Sequence, residues 1–280
     1  MAAISRELTL RIYSAIVMIA VVLACTWYGG LAFRLFAVGL GVLVYYEWSK
    51  MTRLQETSLR GYAFGWFAVI VTFANLLIGD AALTVPLMGG FVFTACLFSM
   101  FGNWTRWHAI GILYASLSAV SLSAIRGDDS VGFVAMLFVF AVVWSTDILA
   151  YFFGRAIGGP KLAPRISPGK TWSGAVGGTF SGVAAGMVVA LSYFQVSSIW
   201  LPLMALFLSV SSQIGDLFES FIKRRFGVKD SSHLIPGHGG VMDRVDGLVF
   251  ACFATFFLAI GFSAAGGTPV TSLGAFLLGR

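Results

Sequence analysis

Nine apolar runs, near residues 12–27, 31–48, 62–78, 83–101, 108–125, 131–153, 173–194, 199–221 and 248–265, occupy most of this chain of 280 residues. A helix needs about 20 consecutive apolar residues to cross the hydrocarbon layer, so nine spans leave only short connections and no room for a large soluble domain. Charged residues make up 11% of the chain, against roughly a quarter in soluble domains, and mean hydropathy is +0.89. The expected fold is all-α: a polytopic integral membrane protein with about nine transmembrane helices. Residues 1–130 form the first five helices, and 131–280 form helices six to nine with polar loops at 154–172 and 222–247. The start, MAAISRELTLR, superficially resembles a signal peptide, but the apolar run after it is span-length and lacks a small-residue cleavage site, so it reads as a retained first helix.

Charge orients the helices. With nine spans and a cytoplasmic N-terminus, 15 of the 18 Lys and Arg residues fall inside, and only Arg34, Arg126 and Arg280 fall outside. Removing one helix would send a large basic loop to the wrong side, so helix count and charge bias support each other. The net charge of +6 is then explained by orientation and attraction to anionic lipid, and no nucleic-acid partner is implied. Cys25, Cys96 and Cys252 are widely spaced in apolar runs and suggest neither a disulfide framework nor a zinc site.

Function must reside in the polar residues that interrupt this pattern. In the eighth run Ser209, Ser212, Asp216, Glu219, Ser220 and Lys223 recur every three or four positions, which puts them on one helix face. A carboxylate in a bilayer costs roughly 2.5–3.5 kcal/mol on insertion scales, so Asp216 requires a cation, a metal or water. It serves either a structural ion pair or a site. The sixth run repeats the arrangement, with Asp147, Tyr151 and Arg155 four apart. Gly174, Gly178, Gly182 and Gly186 in the seventh run form a small-residue seam against which another helix can pack closely.

Both basic loops are suited to phosphate. Loop 154–172 ends in PRISPGKT, which has Pro164 where a P-loop needs its first glycine and lies among membrane helices. Ser167, Lys170 and Thr171 nevertheless precede a helix N-terminus, where amides and the helix dipole favour an anion. Loop 222–247 gathers Lys223, Arg224, Arg225, Lys229 and Arg244 with Gly237, Gly239 and Gly240, and adds Asp243 and Asp246 as hard oxygen donors. Orientation alone accounts for a basic loop but not for its glycines and aspartates. Carboxylates beside cations suit a divalent metal bridging aspartate to phosphate. His238, next to two glycines, is a candidate hydrogen-bond donor to phosphate; His233 and His238 have no neighbouring cysteine and make a poor zinc pair.

The run SFIKRRFGVKDSSHLIPGHGGVMDRVD, from Ser220 to Asp246, resembles the signature of the phosphatidate cytidylyltransferases, the CDP-diacylglycerol synthases. QIGDLFES before it and ISPGKTW earlier extend the resemblance over about 100 residues, from Asp147 to Asp246. The resemblance implies a homodimer of multi-span protomers that makes CDP-diacylglycerol and pyrophosphate from CTP and phosphatidic acid, using Mg²⁺. It also implies a bacterial inner-membrane location with the active site facing the cytoplasm. Asp216 and Asp243 match the family's metal-binding aspartates, and Lys223 matches its signature lysine. With Asp246 these are the expected catalytic residues. Ser167, Lys170, Thr171, Arg224, Lys229, His238, Gly239, Gly240, Arg244, Asp147 and Tyr151 are the expected substrate-binding set. A second cation would involve Asp246, Asp147 or Glu219. One departure is Ser173, where the family commonly has an acidic residue. The alternatives are an ion-coupled secondary transporter using Asp147, Asp216 and Glu219, and a CTP-dependent lipid kinase that releases CDP.

Overall fold

Helices form where the apolar runs predict them, because a backbone in hydrocarbon must satisfy its hydrogen bonds within itself. The computed structural model of the protein describes residues 6–195, 198–267 and 269–280; the first five residues of the N-terminal segment lie outside that range. Its helices are α1 (Arg6–Tyr28), α2 (Gly30–Met51), α3 (Leu54–Thr57), α4 (Leu59–Ile78), α5 (Ala81–Phe101), α6 (Arg106–Arg126), α7 (Ser130–Ile157), α8 (Trp172–Tyr193), α9 (Trp200–Arg225), α10 (Met242–Ala264) and α11 (Leu273–Leu277). Among the described residues nine of these, all but α3 and α11, are long and apolar enough to cross a membrane. Side-chain caps mark several starts: Ser58, Asp80, Asp129 and Thr171 accept from the backbone amides of Gly61, Leu83, Gly132 and Gly174.

Three expectations need correction. The 154–172 loop is not all irregular: β1 (Lys161–Ala163) and β2 (Ser167–Thr171) pair as an antiparallel hairpin between α7 and α8. The 222–247 loop is shorter than expected at both ends. Helix α9 continues to Arg225, so Lys223, Arg224 and Arg225 occupy its last turn, where cations suit the helix dipole. Helix α10 starts at Met242 rather than near residue 248, which puts Asp243 in its first turn.

The chain forms two compact units. One comprises residues up to Ser123 together with Phe226–Arg244, the other Ala124–Arg225 together with Val245–Arg280. The first is built around aromatic residues. Trp48 is fully buried, stacks on Tyr114 with ring centroids 5.5 Å apart, and donates its indole N–H to the Trp107 carbonyl at 3.0 Å. The Tyr45 ring meets Trp66 edge-on at 4.9 Å.

The second unit is organised by the glycine seam, whose partner is α7. A Cβ at Gly174 would stand 2.7 Å from the Ala150 carbonyl oxygen, one at Gly178 2.6 Å from that of Thr146, and one at Gly182 2.9 Å from that of Val142. At this separation the hydroxyls of Thr146 and Ser209 share a 2.8 Å hydrogen bond between α7 and α9, and Gln213 of α9 donates to Thr179 of α8 at 2.8 Å. Three helices are thereby held close enough to frame a polar site. A side chain at the seam should separate them. Gly178→Leu is expected to destabilise the folded protein by at least the roughly 1–3 kcal/mol typical of overpacking, read as a lower midpoint of unfolding in detergent, whereas Gly39→Ala, with open space around it, should have little effect.

Candidate active site

In the second unit, α7, the hairpin, the start of α8 and the middle of α9 surround a cavity of about 560 Å³. Asp147, Tyr151 and Arg155 reach it from α7, Lys161 and Lys170 from the two strands, and Gln213 and Asp216 from α9. Gly158 and Gly159, both at positive φ, turn the chain sharply out of α7 and leave backbone lining the cavity. The cation that Asp216 requires is Lys170, whose ammonium forms an ion pair with the Asp216 carboxylate. Tyr151 accepts a hydrogen bond from Arg155 at 2.9 Å, as their four-residue spacing predicts.

The carboxylates of Asp147, Asp216 and Asp246 interact electrostatically with one another, with Lys170 beside Asp147 and Lys223 beside Asp246. Lys223 also pairs with Glu219 one turn away, at 3.5 Å. Negative charge is thus concentrated on hard oxygen donors flanked by cations. Among the described residues no three His, Cys, Asp or Glu side chains converge into a cage for a metal ion. Mg²⁺, however, takes one or two carboxylates together with waters and substrate phosphates rather than an all-protein cage. The donor set present in this unit fits that chemistry.

The signature loop lies in the other unit, where Lys229, His233, His238, Gly239 and Arg244 line a second cavity of about 580 Å³ together with Arg11 of α1. Gly237 and Gly239 are at positive φ, and a Cβ at Gly237 would come within 2.8 Å of the Arg11 side chain. Asp243 turns back on its own loop: its Oδ2 accepts from the Ser231 amide at 2.8 Å, the Ser231 hydroxyl at 2.9 Å and the Gly240 amide at 2.9 Å. His238 sits 2.8 Å from the Ser14 hydroxyl through Nδ1. Burial, reinforced by the guanidiniums of Arg244 and Arg11 and opposed by the Pro236 carbonyl, holds His238 below the ordinary imidazole value.

Of the residues expected from the sequence, Asp147, Tyr151, Lys170, Thr171 and Asp216 line one cavity, and Lys229, His238, Gly239 and Arg244 line the other. Thr171 is buried there and caps α8 through its hydroxyl rather than presenting it. Ser167, Lys223, Arg224, Gly240, Asp243 and Asp246 line neither cavity. Arg224 donates to the Ile166 carbonyl at 3.4 Å, tying α9 to the hairpin turn, and Asp246 accepts from the Gly247 amide at 2.8 Å. Ser173 bonds to the Gly158 carbonyl and the Thr171 hydroxyl, a neutral brace between the α7 turn and the start of α8.

Several residues were missed by sequence reasoning. In the sequence Arg11 and Lys161 stand out only as orienting charges, and Gln213 only as the first residue of QIGDLFES. Glu47 did carry a signal: it is an acidic residue close to the end of an apolar run, where the cost of burial should have singled it out.

A model of the Cytidylyltransferase family matches residues 9–262. The chain is 49% identical over 248 residues to a phosphatidate cytidylyltransferase of Brucella abortus, covering 88% of this chain and 90% of the relative. It is 33% identical over 251 residues to a phosphatidate cytidylyltransferase of Staphylococcus haemolyticus, covering 86% and 94%, and 32% identical over 290 residues to one of Haemophilus influenzae, covering 88% and 97%. Because the match runs through the apolar helices of both units and through the polar segments that hold the acidic and basic residues, the chain belongs to the cytidylyltransferase family and is a nucleotidyltransferase.

Proposed function

We propose that the protein joins CTP and phosphatidic acid into CDP-diacylglycerol and pyrophosphate, as a phosphatidate cytidylyltransferase at the cytoplasmic face of a bacterial inner membrane. The observation that carries this reading is the cavity in which Asp147 and Asp216 face Arg155, Lys161 and Lys170, an arrangement suited to holding a polyphosphate. The names of the relatives support the substrates. The inside bias of 15 among 18 basic residues supports the membrane face. On the helices that line this cavity, Ile148 and Phe152 of α7 and Trp172 of α8 are exposed apolar side chains next in sequence to the lining residues Asp147, Tyr151 and Thr171, which suits diacyl chains that stay in lipid while the headgroup reaches the polar residues.

In the proposed reaction a phosphate oxygen of phosphatidate attacks the α-phosphorus of CTP. A new P–O bond forms, the bond from the α-phosphorus to the bridging oxygen breaks, and its electron pair leaves on pyrophosphate. The second ionisation of a phosphate monoester lies near neutrality, and its monoanion already carries an ionised oxygen, so the nucleophile needs no protein base. The work of the chain is alignment and charge neutralisation. Lys170 and Lys223 act at the carboxylate cluster, and Arg224, Lys229 and Arg244 offset charge on the triphosphate. Ser167 and the amide of Gly239 would orient its oxygens, whereas the Thr171 hydroxyl caps α8 and the Gly240 amide is given to Asp243, so these two serve by shaping the loops. Asp216 at the carboxylate cluster and, by the resemblance, Asp243 in its own unit would each be a Mg²⁺-holding residue, and the ion when bound lowers the charge of the triphosphate and stabilises the departing pyrophosphate; Asp147, Asp246 or Glu219 would serve a second cation. His238, held neutral, would donate a hydrogen bond to phosphate without adding charge.

The first test incubates the purified protein in detergent micelles with phosphatidic acid, Mg²⁺ and α-labelled CTP. Label is expected in the lipid phase, one pyrophosphate per label; release of CDP instead would mean kinase chemistry, and no turnover by folded protein would overturn the reading. Asp243→Asn should lower turnover by two or more orders of magnitude without loss of folded protein, and Lys170→Ala should lower kcat/KM by roughly 10²-fold. The His238 imidazole should titrate below about 6.5 by NMR, and Arg244→Gln should raise its midpoint. The sign for stability follows: above about pH 6.5 both folded and unfolded forms are neutral, and as pH falls below that value the unfolded state takes the proton first, so stability is lost.

A further inference from the structure

Glu47 lies in α2, four positions before its end at Met51, and is fully buried at 0% exposure. Its carboxylate accepts four hydrogen bonds, and every donor belongs to one short stretch of the signature loop. Oε1 receives the Ser232 hydroxyl at 2.5 Å and the Val241 amide at 2.8 Å; Oε2 receives the Met242 amide at 2.6 Å and the Ser231 hydroxyl at 3.2 Å. The position before α10 is Val241, which has no capping group of its own. Glu47 therefore caps α10 from another helix and places an anion at its N-terminus. Gly240 makes room for this, because a Cβ there would stand 2.7 Å from Oε1.

The same donors lead to Asp243. The Ser231 hydroxyl is 3.2 Å from Glu47 Oε2 and 2.9 Å from Asp243 Oδ2, and its single hydrogen can serve only one carboxylate at a time. Gly240, which lies against Glu47, donates its amide to Asp243 Oδ2. An apolar residue at position 47 would be cheaper for a membrane helix, so the carboxylate has to be explained by what it holds. We propose that Glu47 is a positioning residue for Asp243: it sets the 231–242 turn and the start of α10, and through Ser231 and Gly240 it fixes the direction of the Asp243 carboxylate. The proposal rests on the reading of Asp243 as a metal-holding residue. It gives the N-terminal helices a part in the chemistry that composition could not assign to them.

The test compares the full-length parent in detergent micelles with Glu47→Gln, Ser231→Ala and Asp243→Asn. Three quantities are measured: hydrogen exchange of peptides spanning 231–242, Mn²⁺ affinity by electron paramagnetic resonance, and turnover. Glutamine keeps the shape of the side chain but turns an NH₂ toward donors. Glu47→Gln is expected to speed exchange at Val241 and Met242 about tenfold, to weaken Mn²⁺ binding by roughly 10–100-fold and to lower kcat to a similar degree, with the KM for phosphatidate unchanged. Ser231→Ala, which leaves Glu47 in place, should share the loss of Mn²⁺ affinity and serves as the deciding variant should Glu47→Gln fail to fold. If Asp243→Asn is impaired while Glu47→Gln and Ser231→Ala bind Mn²⁺ and turn over like the parent, the proposal is overturned. If Glu47→Gln loses activity only in proportion to unfolded protein, its role is structural and the proposal is likewise overturned. An Asp243→Asn protein with normal Mn²⁺ affinity and turnover identifies a different failure, that of Asp243 as a metal-holding residue.

Discussion

An ionised carboxylate removed from water must be surrounded by donors or cations, and the polar architecture of this protein follows from meeting that condition several times in a chain with little charge. Asp216 meets it with Lys170, delivered by a hairpin between two membrane helices. Glu219 meets it with Lys223 one turn further along α9. Asp243 and Glu47 meet it with backbone amides and serine hydroxyls, so the signature loop acts as a ligand for acidic groups of the protein itself. Each solution fixes a short piece of chain against a helix. Those fixed pieces are the ones that hold the phosphate-binding candidates.

Close packing of small residues does the complementary work. The glycines of α8 bring its backbone against α7, and the hydroxyl pair of Thr146 and Ser209 joins α7 to α9 at the same level. The next residue of α7 after that contact, Asp147, lines the cavity with Lys170 and Asp216. The apolar seam and the polar cavity are two parts of one helix arrangement, because bulkier residues on α8 would widen the gap across which Lys170 must reach.

Much of this was legible in the sequence. Span-length apolar runs announced the nine helices that, among the described residues, are long and apolar enough to cross a membrane, and three- and four-residue spacing identified the polar faces of α7 and α9 and the seam on α8. The start of α10 was not legible, because helix ends are normally read from a local capping residue and Val241 offers none. Its cap comes from Glu47, 195 residues earlier in the chain. The hairpin was hidden for a related reason: its strands of three and five residues are too short to show an alternating pattern, and Pro164 and Pro168 suggest irregular chain. Asp243 and Asp246 were recognised by residue type and by resemblance, but the helical turn they occupy depends on partners that no local pattern reveals. Arg11 illustrates the same limit, since its place beside Gly237 is set by packing between distant segments.

The distance along the chain between Glu47 and its donors has a consequence for biosynthesis. Ser231, the first of them, follows Glu47 by 184 residues, and Met242 follows by 195. At synthesis rates of about 5–20 residues per second, α2 emerges roughly ten to forty seconds before the turn that will satisfy its carboxylate. During that interval Glu47 has to be kept hydrated, protonated or shielded by something other than its final partners. The N-terminal unit, which includes Phe226–Arg244, cannot reach its finished state until nearly the whole chain has been made.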